Sequence, residues 1–355
     1  MVGGGASGEA KVPSLEIRLQ FLDSHNVFRR LMELLSQVAR EKPYLGPGEP
    51  GLREVAGPVT LLGELGKCGP LDEFAYLDSS SRTLSVRGAR ILVASLYAND
   101  GGNHFTIPPA RFPFVGLKAS REVASAVSSD PTLSELVRLR SPAGELYDQD
   151  YKEDNVLDEL RISLENYAVT SSNRITFVDG PVVPGPFPST MGPKYEAAFQ
   201  QLLKERLPRL PDLVGIVKRL EFSRKLARAL GSDSSDEVLT LDLGRGKAIY
   251  VSPVLKEDVK VGEEEVSRYM TYVRVRDSAF RVESSNPDLL CPGVRTALLH
   301  SSFRGIPTFI EVADRLSRRL GSASFVQAFL YAHQLVGVSY ESWNWYQEAL
   351  KELSQ

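Results

Sequence analysis

The sequence predicts an α/β protein, and three observations predict it. A β-patterned block runs from Phe74 to Ala98, an amphipathic helical segment over Asp154–Ala168 leads into a short apolar strand at Ile175–Val178, and "RYMTYVRVRDSAFRVES" supplies two alternating strands further on. Apolar residues recur at every second position in the strands and at every third or fourth in the helices. That spacing gives each element one face to bury in a shared core.

Residues 1–12 are glycine-rich and read as flexible. From residue 13 the apolar positions Leu19, Phe21, Leu22, Val27, Leu31, Leu34, Leu35 and Val38 form a stripe at helical spacing, predicting one long or twice-broken helix. It is a candidate surface for a partner or second subunit, with docking onto its own chain as the alternative. The glycine- and proline-rich stretch from Pro43 to Pro70 reads as an irregular connection, so residues 13–70 form a helical extension ahead of the core. Next come a strand at Phe74–Leu77, then Asp78 with three serines as a polar turn, and a hairpin through Leu84–Val86 and Ala89–Ala98 about Gly88.

Leu133–Leu139 and Asp154–Ala168 read as helices, the second placing Arg161 and Glu165 one turn apart on a stripe beside the apolar one. A further helix over Tyr195–Leu207 and a strand over Pro211–Val217 ending at Lys218 follow, then the basic helix "RLEFSRKLARAL". Its Arg219, Arg224, Lys225 and Arg228 suit either phosphate or solvent. Val238–Leu243 and Lys247–Val251 read as a hairpin about "GRG", and "LLCPGVRTALLHSSFRG" and "FIEVADRLSRRLG" as helices. The domain reading is a core over 71–320 with a helical insertion at about 187–236, and a C-terminal helical segment, 321–355, packed on it.

Composition sets limits. With 355 residues, 42% of them hydrophobic and a net charge of -3, the chain can bury a large core but has no global basic signature, so any nucleic-acid site must be local. Cys68 and Cys291 are the two cysteines, and their wide separation argues against a disulfide scaffold and a thiolate zinc site, which makes a reducing cytoplasm the natural location. No apolar run approaches the roughly 20 residues of a membrane-spanning helix, and the N-terminus lacks the apolar centre of a signal peptide.

Three acids occupy positions that hard-cation chemistry uses. Asp78 follows a strand, Glu165 lies on the helix before the next strand, and Asp179 ends that strand, directly before Gly180. Phosphodiester hydrolysis at metal ions needs carboxylates of this kind to converge. Taken singly, the Asp179–Gly180 pair is equally a turn former.

Resemblance to a family adds to this reading. "FAYLDSSSRTLSVRGARILVASLYA", "LRISLENYAVTSSNRITFVDGPVVP", "LVGIVKRL", "YVRVRDSAFRVES" and "RGIPTFIEVADRL" resemble, in order, segments of the NurA nucleases. The resemblance implies an RNase H-like mixed β-sheet core flanked by helices, with Asp78, Glu165 and Asp179 as catalytic and metal-binding acids. It also implies one or two Mn²⁺ or Mg²⁺ ions, with two the expected number, and Lys218, Arg219 and Arg224 on the DNA path. Ser79 stands where the family commonly has glycine. Asp314 stands where it often has histidine, so the fourth ligand is Asp314 or else His300. The implied activity is 5′-to-3′ exonuclease cleavage, alongside single-strand endonuclease activity, in DNA end resection for double-strand break repair by homologous recombination. The implied partners are single- and double-stranded DNA ends, a second copy in a homodimer, and a hexameric HerA-type ATPase. Two other readings are a non-catalytic RNase H-like nucleic-acid-binding module and an ATPase adaptor.

Overall fold

The central strands, such as Ala89–Asp100, Val115–Ala119 and Ser278–Ser284, are buried along most of their length, because both faces of the sheet they join are covered. In the computed structural model, residues 26–37, 58–184, 192–221, 223–261 and 263–354 are described. The glycine-rich start, both ends of the expected N-terminal helix, most of the expected irregular connection and residues 187–191 of the expected insertion lie outside the described residues. The chain order is α1 (26–37), β1 (Val59–Gly63), β2 (Ala75–Val86), β3 (Ala89–Asp100), β4 (Asn103–Ile107), β5 (Val115–Ala119), α2 (Arg121–Ser128), α3 (Pro131–Leu136), β6 (Val137–Arg138), α4 (Glu153–Ser171) and β7 (Thr176–Asp179). Then come α5 (Pro193–Arg206), β8 (Leu213–Val217), α6 (Lys225–Ala229), α7 (Asp236–Leu243), β9 (Ile249–Val251), β10 (Val254–Val261), β11 (Glu264–Val275), β12 (Ser278–Ser284), α8 (Pro287–Leu299), α9 (Thr308–Leu335) and α10 (Tyr340–Ser354).

The strands form a mixed sheet in the order β1-β10-β11-β12-β8-β7-β2-β3-β5-β6, with β4 on β3 and β9 on β11. The parallel pairs are β2–β7, β7–β8 and β5–β6. Helices flank both faces, the arrangement expected of the fold class. Ser79, on one face of β2, bonds Glu165 of α4, while its neighbour Asp78, on the other, bonds Ser317 of α9. Two glycines bring these helices close to the sheet. A Cβ on Gly116 of β5 would lie 2.9 Å from Leu160 of α4, and one on Gly321 of α9 would lie 2.9 Å from Ser95 Oγ.

Several expectations are corrected. The turn after Asp78 does not form: β2 runs unbroken through residues 78–81, paired with β3 from Ala75↔Asp100 to Val86↔Ala89. Ser79 is accommodated by its bond to Glu165 of α4 and Ser80 lies beside Gly321 of α9, and the chain instead reverses at Gly88, whose φ is 85°. Residues 236–243 are helical rather than a strand. Ser235 caps that helix by accepting from Val238 N, and Asp236 and Glu237 favour its N-terminal dipole end, which outweighs the β-like alternation. The basic helix shrinks to α6, and the helix expected over Leu133–Leu139 ends at Leu136, where the chain turns into β6. Helix α9 passes unbroken through the expected boundary at residue 320, and α10 folds back on it, Trp343 meeting Phe329 edge-on at 4.8 Å.

The apolar stripe of α1 is not left for a partner. Val27, Phe28, Leu31, Met32 and Leu35 are fully buried in the main core of the same chain, with the Phe28 ring edge-on to Phe114 at 5.8 Å. The cysteine reading is also overturned, because Cys68 and Cys291 form a disulfide. Their sequence separation of 223 concealed a Cα–Cα distance of 6.1 Å, since α8 packs beside the segment leading into β2 and Thr296 of α8 accepts from the Leu71 N–H. Among the described residues, no helix is long and apolar enough to cross a membrane.

Candidate active site

Parallel pairing of β2 with β7 aligns Leu77 with Val178, so the next residues on the two strands are Asp78 and Asp179. On adjacent parallel strands such residues share a face. Helix α9 crosses that face and brings in Asp314. Carboxylate oxygens of Asp78, Asp179 and Asp314 lie within 4.8 Å of one another, and these three form the only such acidic group among the described residues.

The surrounding structure fixes each acid. Ser317, one turn beyond Asp314 on α9, donates to Asp78 Oδ2 at 2.6 Å, and its own carbonyl accepts from Ser95 Oγ at 2.7 Å. Lys218, just past the end of β8, places Nζ 2.5 Å from Asp179 and 3.8 Å from Asp314. Arg318 lies 2.7 Å from Asp314. Behind Asp179, Gly180 adopts φ 132°, a conformation that strains residues with a side chain, and its N–H donates to the Ile216 carbonyl at 2.9 Å. The turn thereby ends β7 with the aspartate facing a cavity of about 400 Å³.

Cations meet the carboxylates of this cavity unevenly: Lys218 contacts Asp179 and Asp314, Arg318 contacts Asp314, and among the described residues Asp78 has no cation in contact. Burial, reinforced by the neighbouring Asp179 carboxylate, pushes Asp78 up to about 8 despite the Ser317 hydrogen bond and Arg161. Burial also raises Asp179 to about 6, opposed by Lys218 and helped by Asp314. Carboxylates that resist ionising together are a standard cost of gathering hard oxygen donors, and a divalent cation relieves it. The donor set is all oxygen, which fits Mg²⁺ or Mn²⁺ better than a softer ion.

The other residues singled out in the sequence separate. Glu165 stands beside the group of three, its Oε1 accepting from Ser79 Oγ at 2.5 Å and its Oε2 from Arg206 Nη2 at 2.8 Å. His300 is elsewhere: it caps α8, its ring edge-on to Phe74 and Phe309, each at 5.8 Å. Lys218 and Arg219 line the cavity, whereas Arg224 is turned away and donates to the Asp233 carbonyl. Lys225 is buried and paired with Glu257 at 2.6 Å, so it is no phosphate ligand. Sequence reasoning missed Ser317, Arg318 and Arg206. The first two repeat Asp314 at i+3 and i+4 on a helix and were in principle readable. Arg206 lies 41 positions from Glu165, and only the fold brings them together.

With this geometry in view, the chain can be placed among known proteins. A sequence profile of the NurA domain matches residues 73–319, well over half of the chain. Among solved structures, the chain is similar to the NurA nuclease from Sulfolobus solfataricus at 11% identity and a TM-score of 0.44, covering 85% of this chain and 89% of that one. A NurA structure bound to dAMP and manganese is similar at 11% identity and a TM-score of 0.37, covering 85% and 92%. An endonuclease V from Streptomyces avermitilis is similar at 12% identity and a TM-score of 0.29, covering 87% and 93%. Among curated proteins no sequence matches. On the strength of the domain match, the chain belongs to the NurA family of nucleases.

Proposed function

We propose that this nuclease is a Mn²⁺- or Mg²⁺-dependent deoxyribonuclease whose metal is held by Asp78, Asp179 and Asp314. The observation that carries the proposal is the meeting of three carboxylates within 4.8 Å in a cavity whose rim carries Lys218, Arg219 and Arg318. A bound divalent cation supplies Lewis-acid polarisation of the phosphate and lowers the pKa of a water. The protein contributes the rest. Asp78 is held by Ser317 and Asp179 by Lys218, so both oxygens stay oriented toward the cavity. Lys218 and Arg219 neutralise phosphate as DNA enters. In the overall reaction a water oxygen bonds to phosphorus and the P–O bond to the leaving sugar breaks. One product end carries phosphate, the other takes a proton and becomes a hydroxyl.

Glu165, outside the group of three, stands as the proposed ligand of a second ion, which would have to replace its bond from Ser79 or Arg206 at one oxygen. Family membership supports the finer reading: 5′-to-3′ exonuclease action with single-strand endonuclease activity, end resection in double-strand break repair, a homodimer and a HerA-type ATPase partner. Gathering three acids in an open cavity favours catalysis over a binding module or adaptor, which has no need of a cluster that is costly to ionise.

The test uses linear DNA labelled at either end, single- and double-stranded, with Mn²⁺, Mg²⁺ or EDTA. Shortening from the 5′ end with Mn²⁺ or Mg²⁺, absent with EDTA and in Asp179→Asn, is the expected result. Cleavage that survives EDTA or Asp179→Asn overturns the metal assignment, and intact DNA under every condition returns the chain to the binding-module reading.

A further inference from the structure

Two arginines flank Glu165, and they are used differently. Arg206 is fully engaged: Nε donates to Asn166 Oδ1 at 2.7 Å, Nη2 to Glu165 at 2.8 Å, and Nη1 reaches the Val182 carbonyl at 3.5 Å. Arg161, one turn before Glu165 on α4, has only its Nε engaged, donating to Ser79 Oγ at 3.3 Å. Among the described residues, its two Nη groups make no hydrogen bond or ion pair. Yet Arg161 lines the same cavity as Asp78, Asp179 and Lys218. An open guanidinium fork beside a site for hard cations has the shape and charge to receive two oxygens of one phosphate.

The fork is also aimed. Arg206 holds Glu165, Glu165 accepts from the Ser79 hydroxyl, and that same hydroxyl accepts from Arg161 Nε. Ser79 follows Asp78 directly on β2, so the strand that supplies an acid to the cluster also anchors the arginine. Burial alone would lower the Arg161 guanidinium, but Glu165, Asp78, Asp158 and Asp179 together raise it, which keeps it charged within the cavity wall.

We propose that Arg161 is a catalytic residue that grips the non-bridging oxygens of the phosphodiester being cleaved, with the Ser79–Glu165–Arg206 chain as its positioning support. The proposal rests on the nuclease reading above and adds a role that the acids alone do not imply. Arg161 would stabilise charge that builds on those oxygens in the transition state. Its removal should therefore lower kcat far more than it weakens binding of metal or DNA.

The experiment compares the full chain with Arg161→Met and Arg161→Lys. It measures kcat on a labelled oligonucleotide with Mn²⁺, Mn²⁺ affinity by titration calorimetry, and oligonucleotide affinity in Ca²⁺ by anisotropy. Arg161→Met should lose about 10²–10³-fold in kcat, the range for removing one preorganised donor. It should bind Mn²⁺ as well as or better than the parent, because a like charge has left the cluster. Arg161→Lys, with the charge but no fork, should recover only part of the rate. Turnover of Arg161→Met within threefold of the parent overturns the proposal. So does a loss of Mn²⁺ affinity that tracks the loss of rate, because Arg161 would then be shaping the acids. If the methionine variant fails to fold, the lysine variant decides: a tenfold or larger loss of kcat with normal Mn²⁺ affinity supports the fork, and full activity overturns it. Asp179→Asn, run in parallel, reports separately on the underlying reading, which fails if that variant cleaves normally.

Discussion

Two groups of buried charges lie on the same sheet, and they push carboxylates in opposite directions. On β10, β11 and β12, Glu257 and Glu283 are surrounded by cations: Lys225 meets Glu257 at 2.6 Å, Arg268 bonds Glu257 and reaches Glu283 at 3.4 Å, and Arg281 meets Glu283 at 2.8 Å. Burial alone would raise Glu257, but Arg268 and Lys225 more than offset it and hold it at about 2. Glu283 is lowered likewise by Arg268, Arg281 and Lys225, against the effect of burial. Where β2 meets β7, burial and like charge instead push Asp78 up to about 8. Burial is common to both places and the balance of partners is not. A carboxylate matched by cations inside the protein is scaffold, and one left short of them is poised to take a cation from outside.

The largest expected effect comes from breaking the matched group. Glu283 accepts from the Val182 N–H at 2.8 Å as well as from two arginines, so Glu283→Ala strands buried positive charge and an amide. It should cost about 3–5 kcal/mol, the usual range for breaking a buried pair, and denaturant unfolding measures it. A result near zero would mean the two groups are less different than their geometry indicates.

The unmatched group should respond the other way. Asp78→Asn removes a buried carboxyl that is costly to ionise and has no cation in contact, so the metal-free protein should keep its stability or gain about 1 kcal/mol. Mn²⁺ should raise the melting temperature of the parent and leave that of the variant unchanged, as mass action requires of a ligand that binds only the intact site. Thermal unfolding with and without Mn²⁺ checks both halves.

A smaller effect sharpens the comparison at an intermediate case. Glu159 on α4 is fully buried and is met by hydroxyls rather than cations, with Tyr147 donating at 2.6 Å and Tyr151 also donating. Burial raises it to about 7, with the two tyrosines and Arg138 only partly opposing. A raised folded-state pKa means that its contribution to stability is fully present below the ordinary glutamate value, about 4.5, and is lost as pH rises through about 7. Stability should therefore fall over that window, and Glu159→Gln should flatten most of the fall. Unfolding free energies of both proteins at pH 5 and pH 8 show it.

The same contrast explains what the sequence could reveal. Asp179 was legible as the end of a strand because apolar residues run directly into Asp-Gly. Asp78 was legible as a residue but not as a place: three serines after it look like a turn, and only full pairing with β3 shows them inside a strand. The choice between Asp314 and His300 lay beyond local pattern, since it depends on which helix crosses the Asp78 face, and α9 brings Asp314 there while His300 stays among aromatic rings. The matched charges were invisible for the same reason. Glu257, Arg268 and Glu283 sit on alternating strands whose polar residues look solvent-facing until the helices and loops that cover them are in place. Cys68 and Cys291 are the clearest case, for spacing along the chain carried no information about spacing in the fold.

The central claim is that the converging carboxylates of Asp78, Asp179 and Asp314 form a cation site. Calorimetric titration of Mn²⁺ into the metal-free full chain and into Asp179→Asn, with DNA cleavage assayed on the same preparations, tests it most directly. The account predicts saturable Mn²⁺ binding by the parent, a loss of at least tenfold in affinity in the variant, and loss of cleavage with it. Equal Mn²⁺ affinity in both proteins, with cleavage intact in the variant, would contradict it.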